Sequence, residues 1–487
     1  MTTQEVPSQR KLIRVTAGNL RNGHIYFDGP GSFYPEDIVG AARKSIQAGC
    51  KSIEIELDGL DEVAVTDVGS RSATGKSRNF FRGRSWVNRF FKHHNIKAGE
   101  LLAMERLGLR RYRLSVDRKP KPRAFTAAEF FAGIGLVRLA LERQGWQVSF
   151  ANDIDPDKAE MYRQNWPNDK HLVLGDIHQL SVDTIPDCEL FTASFPCNDL
   201  SIAGKWEGLN GKESSAFWGL IRILKELRNR KPQIVLLENV FGFLTSKNGK
   251  DFELALTELN KLGYSVDAFI LNAVHWTPQS RVRLFVVAKL GEPEELPDLL
   301  PETETRPRAL RDFIYNHPNI HWSIQQLPKL PEPTHQLIDI VERLPDNDPH
   351  WWNAKRTEYF MNQLSEKHAA QAKQMIAGRS YSYATAFRRV RNGRSMAELR
   401  TDGIAGCLRT PRGGSGRQIL FKGGRGRYQV RLLTARECAR LQGVPESYQI
   451  DVPLNQALFG FGDAVCVPAI EWITSQYLSR TLSETQS

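Results

Sequence analysis

The sequence predicts an α/β protein with a doubly wound, largely parallel sheet, a smaller domain set late in the chain, and an extra mixed α/β domain in front. Three observations predict it. From Phe125 onward, short apolar runs at 125–131, 148–152, 172–174, 190–194, 233–237, 265–271 and 284–288 alternate with helical stretches, the pattern of parallel strands joined by crossover helices. The first of these strands runs into a glycine turn, Glu129-Phe-Phe-Ala-Gly-Ile-Gly135, which opens an amphipathic helix through Gln144. The stretch Asp117-Arg-Lys-Pro-Lys-Pro-Arg123 reads as an extended, charged linker that sets the preceding residues apart. The expected domains are 1–118, 119–290 completed by 455–487, and 291–454.

Composition bounds the function. At 487 residues with 41% hydrophobic and 25% charged content, the chain is neither a disordered nor a membrane protein. Its start carries no secretory signal and no apolar run reads as a membrane span, so a cytoplasmic, nucleoid-associated protein is expected. Cysteines at 50, 188, 197, 407, 438 and 466 lack paired short spacing, and the eleven histidines complete no zinc pattern, so reduced thiols and no metal are expected. The net charge of +11 is concentrated: residues 71–124 hold 16 Lys/Arg against 3 Asp/Glu, and residues 379–431 hold 13 against 2. Two cationic segments on an acidic remainder point to a polyanion held at two places.

In the first domain, Ser52-Ile-Glu-Ile-Glu-Leu57 alternates as a half-buried strand and Pro35 to Arg43 reads as a short helix. From Asn79 to Glu105, Trp86, Phe90 and Phe91 share an apolar helix stripe that leaves Arg82, Arg84, Arg89 and Lys92 outside. This stretch, a tryptophan, an Arg-Phe-Phe run, a basic helix end and Lys-Ala-Gly-Glu before an apolar strand, resembles the pseudobarrel DNA-binding domain of plant auxin-response factors and some restriction endonucleases. The resemblance implies an accessory DNA-binding domain with Arg82, Arg84 and Arg89 at the DNA.

In the second domain, Gly133 and Gly135 let the backbone approach a ligand at a helix N-terminus. A dinucleotide fingerprint requires a third glycine where this chain has Arg138, which weakens a nicotinamide reading. Asp153 and Asp176 end the next two strands, suited to ribose hydroxyls and to an adenine amino group; as a set they point to an adenosine-containing cofactor. An apolar strand then ends in Phe191-Thr-Ala-Ser-Phe-Pro-Cys-Asn-Asp-Leu-Ser201, which puts Cys197 at a strand mouth, where a thiol serves as a nucleophile or packs as a small hydrophobe. Glu238 in Ile234-Val-Leu-Leu-Glu-Asn-Val240 ends the following strand, as a capping acid or as a proton donor beside the thiol. Arg281 and Arg283 alternate on one face of an extended segment, placed for a phosphate or a carbonyl.

The order Phe-Ala-Gly-x-Gly, Gly-Asp-Ile, Pro-Cys, Glu-Asn-Val and Gln-x-Arg-x-Arg, followed by Arg431 to Pro445 and Phe461-Gly-Asp-Ala-Val-Cys-Val-Pro468, resembles the cytosine-5 DNA methyltransferase family over residues 125–487. The resemblance implies a Rossmann-like methyltransferase sheet, S-adenosylmethionine as methyl donor, and duplex DNA whose target cytosine is flipped out. It implies Cys197 as nucleophile, Glu238 as proton donor, and Arg281 and Arg283 beside the base. It places Phe131, Gly133, Gly135, Asp153, Ile154, Asp176, Ile177, Asp463 and Ala464 at the cofactor, with residues 197–215 as a lid. Asn198 and Ser201, and Arg409, Thr410, Arg412 and Arg417 of the Gly- and Arg-rich stretch in the recognition domain, are implied DNA contacts. A bacterial modification enzyme paired with a restriction endonuclease is the implied setting. Asn198, Leu200, Asp463 and Leu136 stand where the family usually has Gln, Phe, Asn and Gly. RNA cytosine methylation and a catalytically silent DNA-binding regulator are the competing readings.

Overall fold

The computed structural model describes residues 10–26, 33–40, 52–70, 77–117, 124–167, 170–196, 216–391, 393–410 and 416–485. Two compact units make up the chain, Met1–Arg123 and Ala124–Ser487.

The first unit holds β1 (Arg10–Arg14), α1 (Ala17–Asn22), β2 (Val39–Gly40), β3 (Ile53–Leu57), β4 (Glu62–Thr66), β5 (Val68–Ser70), β6 (Ser77–Phe81), α2 (Arg84–His93), β7 (Leu101–Arg106) and β8 (Arg111–Val116). Five strands pair in the order β1-β7-β8-β3-β4 and three in the order β2-β5-β6. Ile53, Ile55 and Leu57 face inward on β3 and meet Trp86, Val87, Phe90 and Phe91 of α2 in one core, as period-2 and period-3.6 patterns require. The helix expected from Pro35 is only a 3-10 turn, Glu36–Ile38. Val39 and Gly40 pair instead with Val68 and Gly69, because a neighbouring strand outcompetes the weak helical propensity of a Val-Gly pair.

The second unit contains β9 (Thr126–Phe130), α3 (Leu136–Arg143), β10 (Gln147–Asp153), α4 (Pro156–Asn165), β11 (Leu172–Leu174), β12 (Leu190–Ala193), α5 (Ala216–Leu227), β13 (Ile234–Val240), α6 (Gly242–Thr245), α7 (Lys250–Lys261), β14 (Tyr264–Asn272) and β15 (Val282–Leu290). Their order is β11-β10-β9-β12-β13-β15-β14, with β15 antiparallel to both neighbours and the other pairings parallel. Strands β9, β12 and β13 are buried on both faces, which is why they read as continuous apolar runs.

Beyond the sheet come α8 (Arg308–Asn316), α9 (Ala354–Met361), α10 (Glu366–Ala377), β16 (Ser382–Arg391), β17 (Arg394–Arg400), β18 (Ile419–Gly424), β19 (Arg427–Leu432), α11 (Ala435–Leu441), α12 (Leu454–Asp463), α13 (Val467–Ile473) and α14 (Ser479–Thr485). The proline-rich stretch contains a helix, α8, which starts behind Pro307. The helical stretch 351–377 is split: Asn353 caps α9, and Ser365 starts α10 by accepting from the His368 amide. The Gly- and Arg-rich stretch forms an antiparallel sheet in the order β17-β16-β18-β19, since Ala384, Ala386, Ile419 and Phe421 supply a buried face. Leu454–Leu482, which spans α12 and α13 into α14, is apolar and long enough to cross a membrane by length and composition, but 61% of that window is buried in the protein, so its hydrophobicity is that of a core segment.

Candidate active site

A cavity of about 550 Å³ opens where β9, β10, β11, β12 and β13 end. Carboxyl ends of strands in an open sheet are where such folds bind ligands. The turn after β9 carries Phe131, Gly133 and Gly135 at φ of 58°, 55° and 80°. A Cβ at Gly135 would lie 2.5 Å from the Trp166 ring and 2.9 Å from Tyr162, so this glycine is needed for packing as well as for its turn. A Cβ at Gly133 would meet nothing closer than 3.9 Å, so its Cα side is open where it lines the cavity. Arg138 faces away: it bonds Glu142 Oε1 at 2.7 Å and the Tyr162 hydroxyl at 3.0 Å, and its guanidinium lies 4.7 Å from the Trp166 ring centroid. A long side chain folded onto two aromatic rings thus occupies the place of the third dinucleotide glycine.

Asp153 Oδ2 accepts from the Gly133 amide at 2.7 Å, and its Oδ1 accepts from Asp155 at 2.8 Å. Burial raises its pKa, opposed by the charge of Lys158. The next residue, Ile154, is 66% exposed along the cavity wall. Asp176 accepts from the His178 amide at 2.9 Å and caps the short turn that carries buried Ile177. Asp463 ion-pairs with Lys158 at 2.7 Å, and the Ala464 carbonyl accepts from Arg281 at 2.7 Å. Six cofactor residues named from the strand ends and the 463–464 turn, Asp153, Ile154, Asp176, Ile177, Asp463 and Ala464, line this cavity together with Phe131 and Gly133; Gly135 lies behind them at the start of α3.

Glu129 also lines the cavity and was not singled out in the sequence. It is 1% exposed, neither carboxyl oxygen makes a hydrogen bond, and burial pushes its pKa up to about 8 despite the charge of Arg138. A buried acid without a partner beside an open cavity fits a cationic ligand group.

Cys197, Asn198, Ser201 and the expected lid lie outside the described residues, as does Arg412. Their approach is described. Phe195 and Pro196 line the cavity, and Asn239 Nδ2 donates to the Phe195 carbonyl at 3.2 Å, tying the β12 exit to the end of β13. Beside Asn239, Glu238 is paired with Arg283, Nε to Oε1 at 3.0 Å, both largely buried. Arg281 is 2% exposed and binds backbone: Nη1 donates to Leu408 O at 2.9 Å and Nη2 to Ala464 O at 2.7 Å. Gln279, two residues earlier, accepts from the Leu408 amide at 2.9 Å and donates to Leu441 O at 2.8 Å. The Gln-x-Arg pair therefore grips both polar groups of Leu408 and fixes the segment around it to the end of the seven-stranded sheet.

That grip brings in Cys407, to which the sequence assigned nothing. Its Sγ lies 3.3 Å from Arg281 Nη1 and 3.8 Å from Arg283 Nη2. Burial would raise the thiol, but Arg281, Arg283 and Arg409 outweigh it and lower the pKa to about 7. Arg409 and Thr410 follow, and Gly462 abuts them so closely that a Cβ would lie 2.6 Å from Arg409 C and from Thr410 N. Arg417 Nη2 donates to Asn455 Oδ1 at 2.7 Å on α12. In the first unit, Arg82 is ion-paired with Asp67 at 2.9 Å, Arg89 is paired with Glu62, and Arg84 Nε donates to His24 Nε2 at 3.0 Å.

The family profile of C-5 cytosine-specific DNA methylases matches residues 125–479. The chain belongs to that family. It is a DNA (cytosine-5)-methyltransferase, and the family implies use of S-adenosylmethionine. It is 30% identical over 352 residues to the Type II methyltransferase M.HhaI of Haemophilus parahaemolyticus, covering 71% of this chain and 91% of that protein. M.NgoBI of Neisseria gonorrhoeae is 28% identical over 348 residues, again 71% of this chain and 91% of the relative. Among solved structures, the Dnmt2 methyltransferase of S. pombe shares the fold with a TM-score of 0.50 and 20% identity over 74% of this chain and 99% of that one. The methylase profile begins at residue 125, at the first strand of the second unit.

Proposed function

We propose that this chain methylates carbon 5 of a flipped-out cytosine in duplex DNA at a specific site, as the modification enzyme of a restriction-modification system with a cognate endonuclease. The observation that carries the reading is one cavity lined both by strand-end acids and by the Glu238–Arg283 pair, with Pro196, the residue before Cys197, on its wall.

Carbon 5 of cytosine is a weak nucleophile until the ring's conjugation is broken. Cys197 thiolate adds at carbon 6, and Glu238 delivers a proton to the ring nitrogen at position 3 so that the electron pair is accommodated. Arg283 holds the Glu238 carboxyl in place. Arg281 keeps the Leu408 and Ala464 carbonyls, and with them the cavity mouth, at fixed distances. Bound S-adenosylmethionine supplies an electrophilic methyl group. Asp153 and Asp176 would receive the ribose hydroxyls and the adenine amino group, Ile154 and Ile177 would offer apolar surface to the adenine, and the Gly133–Gly135 turn would admit the methionine portion. Glu129 offers its unpartnered carboxyl to the cofactor's ammonium. Loss of the carbon-5 proton then lets the cysteine sulfur leave and restores the ring.

Removal of a base from the stack is required because the duplex hides these atoms. The 291–454 region reads the site through Arg409, Thr410, Arg412 and Arg417, with Asn198 and Ser201 at the target base. The 1–118 region is an accessory DNA-binding domain of pseudobarrel type. Cys197→Ser is expected to abolish methyl transfer from labelled cofactor and retain duplex binding; full activity in that variant overturns the mechanism. Bisulfite sequencing of DNA from a host expressing the protein identifies the base and the site.

A further inference from the structure

Trp352 lies between two arginines that are 32 residues apart in the chain. The Arg356 guanidinium carbon is 4.1 Å from the ring centroid and that of Arg388 is 5.5 Å away. Arg388 Nε is fixed by Gln363 Oε1 at 2.9 Å, and Gln363 is itself buried and anchored on Ser395. Arg417 completes the group: together with burial, the charges of Arg388 and Arg417 depress the Arg356 pKa, and no carboxylate offsets them. Among the described residues none of the three arginines has an ion pair, the Arg356 side chain donates no hydrogen bond, and the only such bond of Arg388 is the one to Gln363. The Arg417 Nε is buried without a partner.

Such a cluster is destabilising by itself. Like charges on neighbouring side chains repel, and burying a donor without an acceptor costs free energy. The position of Arg356 adds to this. It is the third residue of α9, whose first turn carries no acid, so a cation sits at the positive end of the helix dipole. Every one of these terms becomes favourable when an anion arrives. Trp352 keeps the two guanidinium planes in place by cation–π contact, which lowers the ordering cost of binding.

We infer that Arg356 and Arg388 at the Trp352 ring, with Arg417 contributing charge beside them, form a binding site for a DNA backbone phosphate flanking the target. The inference rests on the reading of this chain as a duplex-DNA methyltransferase. The anion is a phosphodiester of the substrate rather than a base edge: Trp352 and Gln363 pin the guanidinium groups, whereas base readout requires arginines presented end-on. Arg417 connects the site to the catalytic cavity through Asn455 of α12, the helix that ends in Gly462 and Asp463. An occupied phosphate site thus bears on the first turn of α12 through Asn455.

The test uses the full-length enzyme and measures duplex binding against salt concentration, alongside methyl transfer. Arg356→Ala and Arg388→Ala are each expected to weaken binding about three- to tenfold at physiological salt, equally for cognate and non-cognate duplexes, and to reduce the slope of log K against log salt by about 1. The loss enters the KM for DNA. Lys261→Ala, which removes an exposed cation paired with Glu258 on α7, keeps the parent slope. Circular dichroism and thermal unfolding verify that the arginine variants are folded, and Arg388→Lys, which retains the charge, recovers part of the slope. An unchanged slope in folded Arg356→Ala and Arg388→Ala overturns the site, and a loss confined to cognate DNA overturns the phosphate assignment in favour of base reading. Absence of methyl transfer to any duplex by the parent enzyme overturns the underlying reading instead.

Discussion

Arg283 Nε lies 3.0 Å from Glu238 Oε1, with side-chain exposures of only 15% and 10%, and the same guanidinium reaches toward the sulfur of Cys407. The acid assigned to proton donation is thus held by an arginine that also faces a thiol from the recognition segment. Removing the acidic group while preserving shape isolates its chemistry. Glu238→Gln is expected to lower kcat by about 10²–10⁴-fold with KM for cofactor little changed. Arg283→Ala leaves a largely buried carboxylate unpaired and is expected to destabilise the fold by about 3 kcal/mol as well. Steady-state methyl transfer and denaturant unfolding separate the two effects.

The buried acid at the cavity wall predicts a pH dependence. Glu129 is pushed up to about 8 from an ordinary 4.5, so the folded protein keeps a proton there that the unfolded chain releases. Its contribution to stability is therefore present below about 4.5 and is lost as pH rises toward 8. A cofactor ammonium placed against this carboxyl favours its charged form and expels the proton. Titration calorimetry near pH 6.5 in two buffers of different ionisation enthalpy should show proton release on S-adenosylmethionine binding, and Glu129→Gln should remove it.

Cys407 predicts a second reactive thiol. Its pKa of about 7 contrasts with those of Cys188, Cys438 and Cys466, which burial raises. In a Cys197→Ser background, iodoacetamide at pH 7.5 is expected to label Cys407 ahead of those three, as read by peptide mass spectrometry. Preferential labelling of Cys188 refutes the electrostatic account.

The contact between Gly462 and the backbone of Arg409 and Thr410 leaves no room for a methyl group. Gly462→Ala is expected to cost about 1–3 kcal/mol in stability and to raise KM for DNA more than KM for cofactor, because the recognition segment must move. A thermal melt and paired KM measurements decide it.

Much of the fold was legible because its signals are local. The strands of the catalytic sheet show themselves as short runs of three to nine residues, mostly apolar, and the glycine turn, Asp153 and Asp176 mark three successive strand ends. Local signals also misled. Pro35 to Arg43 has helical spacing, but within it Val39 and Gly40 meet a strand partner, and the Gly- and Arg-rich stretch conceals alanines and isoleucine that build a sheet.

By itself the sequence determined the order of the cofactor turn, the Pro-Cys loop, the Glu-Asn strand end and the Gln-x-Arg-x-Arg segment, and through that order the family and the reaction class. Those are properties of residue type and spacing, which a linear chain displays. The tertiary structure alone decided which charges are already satisfied and which are not. Arg82 and Arg89 find carboxylates in Asp67 and Glu62, whereas Arg356 and Arg388 find the Trp352 ring and, among the described residues, no carboxylate. Cys407 owes its low pKa chiefly to Arg281 and Arg283, more than a hundred residues away, with Arg409 adding to them. Electrostatic partners are set by distance in space and by exclusion of water, and neither can be read along the chain.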